Sequence, residues 1–175
     1  MFAHLAGGFS LVCIWSTTSL GIKWSVTGID YSLSLLLRFT LAFVIMAMLM
    51  IVRRTPLPPF ASTWRAWLAA GGGTTFSMIC TYWASQYINS GLVAVLHGLT
   101  PLATAIFAWL WLKQRIARNE MIGIALAIAG LATIFSDHLS FSPDGIPALV
   151  AVLLAVCGNS AGMVKLKHYS QGLDT

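Results

Sequence analysis

The chain has 175 residues, 58% of them hydrophobic and only 9% charged, with a formal charge of +5. Soluble domains carry about 25% charged residues, and a water-soluble fold of this composition would leave much of its apolar side chain on the surface. That excludes a soluble domain and predicts an all-α integral membrane protein, a multi-span helical bundle.

A spanning helix needs about 20 mostly apolar residues. In chain order the sequence offers six: Phe2 to Ile22, Leu33 to Val52, Ala66 to Ile88, Leu92 to Leu112, Met121 to Ser136, and Ile146 to Val164. The first has no basic residue before its apolar core, and the core is too long for a secretory signal, so it reads as a retained helix. The fifth is short, and Gly158, Asn159 and Ser160 interrupt the sixth.

The links alternate in charge. Arg53, Arg54 and Arg65 flank the second link, Lys113, Arg115 and Arg118 the fourth, and Lys165 and Lys167 follow the sixth span, so eight of the ten basic residues lie on one side. The positive-inside rule puts that side, and the N-terminus, in the cytoplasm. Asp30, Asp137 and Asp144 then face outward. Basic residues scattered over three links set topology and leave no nucleic-acid-binding face. Cys13, Cys80 and Cys157 each stand alone in an apolar run, so neither a disulfide framework nor a metal site is expected, and no cofactor.

Polar residues inside spans carry the functional signal. Arg38 lies about five residues into the second span, roughly 8 Å deep at 1.5 Å per residue, with Ser34 one turn above on the same face. It either snorkels to the headgroups or lines a polar cavity. His97 lies at a similar depth in the fourth span. Pro101, four residues on, has no N–H, which frees the carbonyl of His97, and Thr100 and Thr104 extend the polar stripe. This notch serves either packing or ligand and proton handling. In the third span Thr74, Ser77, Thr81 and Ser85 share one face, with Tyr82, Gln86 and Asn89 on the adjacent strip. That helix either packs centrally or lines a water path. Gly71, Gly72 and Gly73 suggest close packing or a bend there, and Gly123, Ala127 and Gly130 form a small-residue seam suited to packing. No Asp or Glu lies deep in a span, whereas Lys23, Arg38 and His97 occupy the outer half, which favours a substrate with an anionic group.

Gly158-Asn159-Ser160-Ala161-Gly162 matches the G-x-S-x-G pattern of serine hydrolases. No strand precedes it, so an intramembrane serine hydrolase is a remote alternative, and no enzyme activity is expected.

The chain resembles the drug/metabolite transporter superfamily, EamA type. The resemblance rests on Trp15-Ser16 followed by Lys23, Arg38 early in the second span, Y-I-N-S-G-L-V-A-V-L from Tyr87, L-T-P-L from Leu99, and W-L-K-Q-R leading to E-M-I-G-I-A-L-A-I-A-G. The family often has Trp-Gly for Trp15-Ser16, and Leu-Gly-Glu-Arg where this chain has Leu112-Lys113-Gln114-Arg115. The resemblance implies a ten-helix protein of two inverted five-helix repeats. Residues 1–137 form the first repeat, 138–145 an external loop, and 146–175 the first helix of a second, truncated repeat. Ser19-Leu20-Gly21 and Ser160-Ala161-Gly162 match across the repeats, each followed by a lysine. The chain is then a fragment, or a short form that pairs with another copy.

The expected function is transport of a small metabolite, anionic or zwitterionic, across the inner membrane by alternating access. The candidate substrate-binding residues are Arg38, His97, Tyr82, Gln86, Trp15 and Asn159. The lipid bilayer is the other partner. The competing class is a non-transporting assembly or anchoring protein whose polar stripes only pack helices.

Overall fold

A computed structural model describes residues 17–54, 60–114, 118–137 and 145–170. Trp15 and Cys13 lie outside these. Helix α1 covers residues 17–25, α2 Tyr31–Arg53, α3 Phe60–Ala84, α4 Ser90–His97, α5 Thr100–Leu112, α6 Arg118–Asp137 and α7 Gly145–Ser170. The described residues hold no strand. Among the described residues three stretches are long and apolar enough to cross a membrane: α2, α4 with α5 (Ser90–Leu112), and α7. At 23 residues, α2 is about 35 Å long, against a hydrocarbon core of about 30 Å.

Local chemistry sets the helix ends. Asp30 accepts from the Ser32 N–H at 2.8 Å and from the Ser32 hydroxyl, capping α2. Asn89 accepts from the Leu92 N–H at 2.7 Å and caps α4. At their far ends α2 and α5 close on left-handed residues that are not glycine, Arg54 (φ 49°) and Lys113 (φ 53°). That conformation costs a residue with a Cβ about 1 kcal/mol, so the glycine of the Leu-Gly-Glu-Arg pattern has a backbone reason. Lys113 replaces it with a charge at a helix C-terminus, where a cation is favoured.

The fourth span is two helices. Gly98 N–H bonds to the carbonyls of Ala94 and Val95, and Leu99 N–H to that of Leu96, which tightens the chain into a turn before Pro101 starts α5. The sixth span is one unbroken helix of 26 residues, longer than the sequence suggests. Its glycines do not interrupt it because they are where another backbone comes close.

That contact organises the bundle. Helices α3 and α7 run antiparallel along most of their length, and α7 also packs on α5 and α4. A Cβ at Gly73 would lie 2.8 Å from the Gly158 carbonyl oxygen and 2.9 Å from Gly162 Cα, and one at Gly162 would lie 2.5 Å from the Ala69 carbonyl oxygen. Gly158 seats the ring of Phe76. Nearer the other end, Ala84, Ile88, Val93, Leu96, Ala148 and Val152 form the buried apolar cluster. Of the sequence's small-residue features, only Gly73 of the triplet is used in this way. A Cβ at Gly71, Gly72, Gly123 or Gly130 would meet nothing among the described residues.

Two outcomes follow. Gly73→Ala and Gly162→Ala drive a methyl into backbone that cannot step aside, and each destabilises the bundle by about 1–3 kcal/mol. Gly72→Ala, with room to spare, is neutral or gains up to about 1 kcal/mol from helix propensity. Thermal melting of the detergent-solubilised protein separates the pairs. At the start of α2, the hydroxyl and then the N–H of Ser32 hold the Asp30 carboxyl below its ordinary range. A depressed folded value means the cap is fully formed above the unfolded value and is lost as pH falls through the folded one. The protection of the Ser32 amide relative to its intrinsic exchange rate therefore falls below about pH 4, and Asp30→Asn, which caps without titrating, removes that dependence.

Candidate functional site

The hydroxyl stripe of α3 is interior packing. Ser77, Thr81 and Ser85 are at most 2% exposed. Thr81 Oγ1 donates to the Ser77 carbonyl at 2.8 Å, and Ser85 Oγ to the Thr81 carbonyl at 2.7 Å. The Thr81 and Ser85 hydroxyls thus find partners one turn back on their own helix, which lets this polar face be buried. Of the two readings open for this stripe, a packing face fits the geometry and a water path does not.

His97, the last residue of α4, meets this stripe. Its Nε2 lies 3.1 Å from Thr81 Oγ1. The threonine proton is directed at Ser77, so the ring is the donor and Nε2 carries the hydrogen. The carbonyl of His97, left without a helical partner by Pro101, accepts from Thr100 Oγ1 at 2.6 Å. The Thr100 carbonyl in turn accepts from Thr104 Oγ1 at 2.8 Å and from Ser160 Oγ at 3.4 Å. The notch at Pro101 is thus a junction of α3, α5 and α7, closed by side chains. Ser160 is fully buried within α7, and the surrounding glycines pack helices. A nucleophile exposed on a strand-to-helix turn is absent from this arrangement.

Lys23 is held elsewhere than with Arg38 and His97. Its Nζ donates to the Ser85 carbonyl at 2.6 Å and to that of Ile88 at 3.2 Å. It closes the C-terminal end of α3 from the side of α1, where backbone acceptors are left over. The sequence marks Lys23 as an outer-half cation, but backbone acceptors leave no pattern by which this role can be found.

Arg38 and Tyr82 are brought together. Arg38 Nη1 donates to the Tyr82 hydroxyl at 3.4 Å across α2 and α3. Both line a cleft of about 720 Å³ between α1, α2 and α3. Ser25 and Ser34 line it too, joined by a bond from Ser34 Oγ to the Ser25 carbonyl at 2.7 Å. Trp24, Leu37, Leu41 and Ile45 make its apolar walls. Nothing in the residue pattern points to Trp24 or Ser25, which sit where α1 ends and turns towards α2. Gln86 and Asn159 do not reach the cleft. Gln86 is exposed in the turn after α3 and donates to the Trp83 carbonyl at 3.2 Å, and Asn159 is half-buried on α7.

The model of the EamA-like transporter family matches residues 3–136. Protein PecM of Dickeya dadantii (strain 3937) is 23% identical over 163 residues, 93% of this chain and 52% of that protein. The uncharacterised inner membrane transporter YedA of Escherichia coli (strain K12) is 30% identical over 145 residues, 78% of this chain and 45% of that one. The uncharacterised transporter YetK of Bacillus subtilis (strain 168) is 26% identical over 149 residues, 84% and 44%. The chain spans about half the length of these curated relatives. No solved structure matches.

Removing the Lys23 ammonium leaves two carbonyls without their donor. Lys23→Met lowers stability by about 1–2 kcal/mol, the lower part of the range for charged hydrogen bonds because the site is only partly buried. Lys23→Arg retains most of it. Melting curves of the two variants beside the parent measure the difference.

Proposed function

The chain belongs to the EamA-like transporter family, and we propose on that premise that the whole protein carries a small metabolite across the cytoplasmic membrane by alternating access. The observation that carries the reading is the cleft with Arg38 in it, a charge placed among apolar walls between three helices of a membrane transporter. Intramembrane charges ordinarily face such cavities. The substrate is anionic or zwitterionic, with Arg38 as its anion contact and Tyr82 beside it.

His97 serves as the hydrogen-bonding link that holds the α4–α5 break against α3. The buried hydroxyls of α3 belong to packing, so the proposal rests on the cleft and takes nothing from that stripe. The span of only half the relatives' length supports a first repeat followed by a second, whose helices complete the pathway. The basic residues of the links support a cytoplasmic N-terminus.

Two measurements test this on the whole protein. With the native cysteines replaced by Ala, a cysteine at Leu41 reacts with a charged, water-soluble thiol reagent, and one at Thr81 is protected. Arg38→Ala reduces uptake or export at least about tenfold, the scale expected for a charge-assisted contact, while membrane abundance stays near normal. A protected Leu41 position together with unimpaired transport by Arg38→Ala would remove the cleft from the pathway. A protein that moves no solute at all would return the reading to an assembly or anchoring role.

A further inference from the structure

The three basic side chains described in the outer half are not equivalent. The Lys23 ammonium is engaged by two backbone carbonyls. The His97 ring donates to Thr81. Arg38 has five N–H donors, and among the described residues it makes one hydrogen bond, the long one to Tyr82 at 3.4 Å. Its remaining donor capacity faces a cleft whose walls are Trp24, Leu37, Leu41 and Ile45. The Arg38 side chain is exposed there, so those donors are open to an incoming anion.

The acceptors in the cleft are few. Ser25 Oγ donates to the Ile22 carbonyl at 2.8 Å, and Ser34 Oγ to that of Ser25, so both hydroxyl protons are engaged. No carboxylate lines the cleft among the described residues. Asp30, the acidic residue that follows Ile29 at the rim, is held by Ser32. An ammonium group carried in beside Arg38 would find no counter-charge among the described residues that line the cleft, because Asp30 stays at the rim. Tyr82 accepts from Arg38, which leaves its own proton to donate.

We propose that this cleft takes a monocarboxylate with an apolar or aromatic body and no free ammonium, its carboxylate forked on Arg38 with the Tyr82 hydroxyl as a third donor. A planar guanidinium matches a carboxylate with two parallel bonds. One cation balances one negative charge, so a doubly charged phosphate would remain half unpaired. The volume falls within the roughly 300–1,000 Å³ range of small-molecule sites. The assignment sharpens the substrate of the transporter proposed above and rests on that reading for its purpose, but binding itself is testable without transport. An anionic lipid headgroup offers the same charge, and the experiment separates the two.

The whole protein, with all of the chain that accompanies residues 1–175, is placed in phosphatidylcholine nanodiscs at about pH 7.5, where carboxylates are ionised. It is titrated with phenylacetate and isovalerate, and in parallel with phenylalanine and leucine. The two carboxylates bind saturably, and each amino acid binds at least about tenfold more weakly than its counterpart without the ammonium. Arg38→Gln weakens phenylacetate at least about tenfold, and Arg38→Lys, which keeps the charge and loses the fork, several-fold. Tyr82→Phe weakens it by about three- to tenfold. Leu41→Trp, which fills the cleft without touching the ion, abolishes binding, and this variant decides the matter if the Arg38 variants fail to fold.

Amino acids binding as tightly as the carboxylates, or phenylacetate binding unchanged in Arg38→Gln, overturns the proposal. So does a protein that ignores phenylacetate but loses co-purified phosphatidylglycerol on Arg38→Gln, which assigns the guanidinium to lipid. Binding without uptake into proteoliposomes keeps the cleft and sinks the transport reading. Uptake of other solutes with no binding of these carboxylates sinks the cleft assignment alone.

Discussion

Everything in this bundle depends on how closely α3 and α7 approach. Gly73, Gly158 and Gly162 bring backbone to backbone, with Ala69 one turn away. In lipid, apolar side chains give helices little reason to choose each other over acyl tails, and close packing of small residues supplies one. Once α7 lies against α3, the hydroxyl stripe of α3 is buried and must satisfy itself, which it does by bonding back along its own helix. The same placement lets Ser160 reach the Thr100 carbonyl, so the break before Pro101 is bridged from three sides.

The polar groups of the interior therefore fall into two classes. The hydroxyls of α3 and Thr104 bond back along their own helices, while Lys23, His97 and Ser160 link one helix to another. Arg38 alone among the described residues of the cleft is a charge with donors to offer. This division is what separates a structural polar network from a binding site, and it follows from hydrogen-bond capacity rather than from residue type.

Much of the fold was legible in the sequence, because apolar length is a strong, local signal. The second span read as Leu33 to Val52 is α2, Tyr31–Arg53, and the fifth, Met121 to Ser136, lies within α6, Arg118–Asp137. The disturbance at His97 and Pro101 was legible too, since the missing N–H is fixed chemistry, although its form as two separate helices was not. The α3–α7 pairing was hidden. Periodicity shows which face of a helix is small and leaves open what lies on it, so the glycines of α7 looked like an interruption and those of α6 like a seam. For the site, Arg38 and Tyr82 stood out because they are polar at depth. Gln86 stood out for the same reason, yet it sits in a turn where its amide finds the Trp83 carbonyl. Trp24 and Ser25 were missed because only the fold back from α1 into α2 makes them walls of a cleft.

The pairing of α3 with α7 also bears on how the protein is made. Gly158 follows Gly73 by about 85 residues, and chains grow at about 5–20 residues per second. Helix α3 thus leaves the ribosome on the order of ten seconds before its partner exists. During that interval its serines and threonines have only their own backbone to bond, and its small-residue face has only lipid or the insertion machinery to lie against. A helix this dependent on a late neighbour is one that the translocation apparatus must shelter, and premature release into the bilayer is the step at which misassembly would begin.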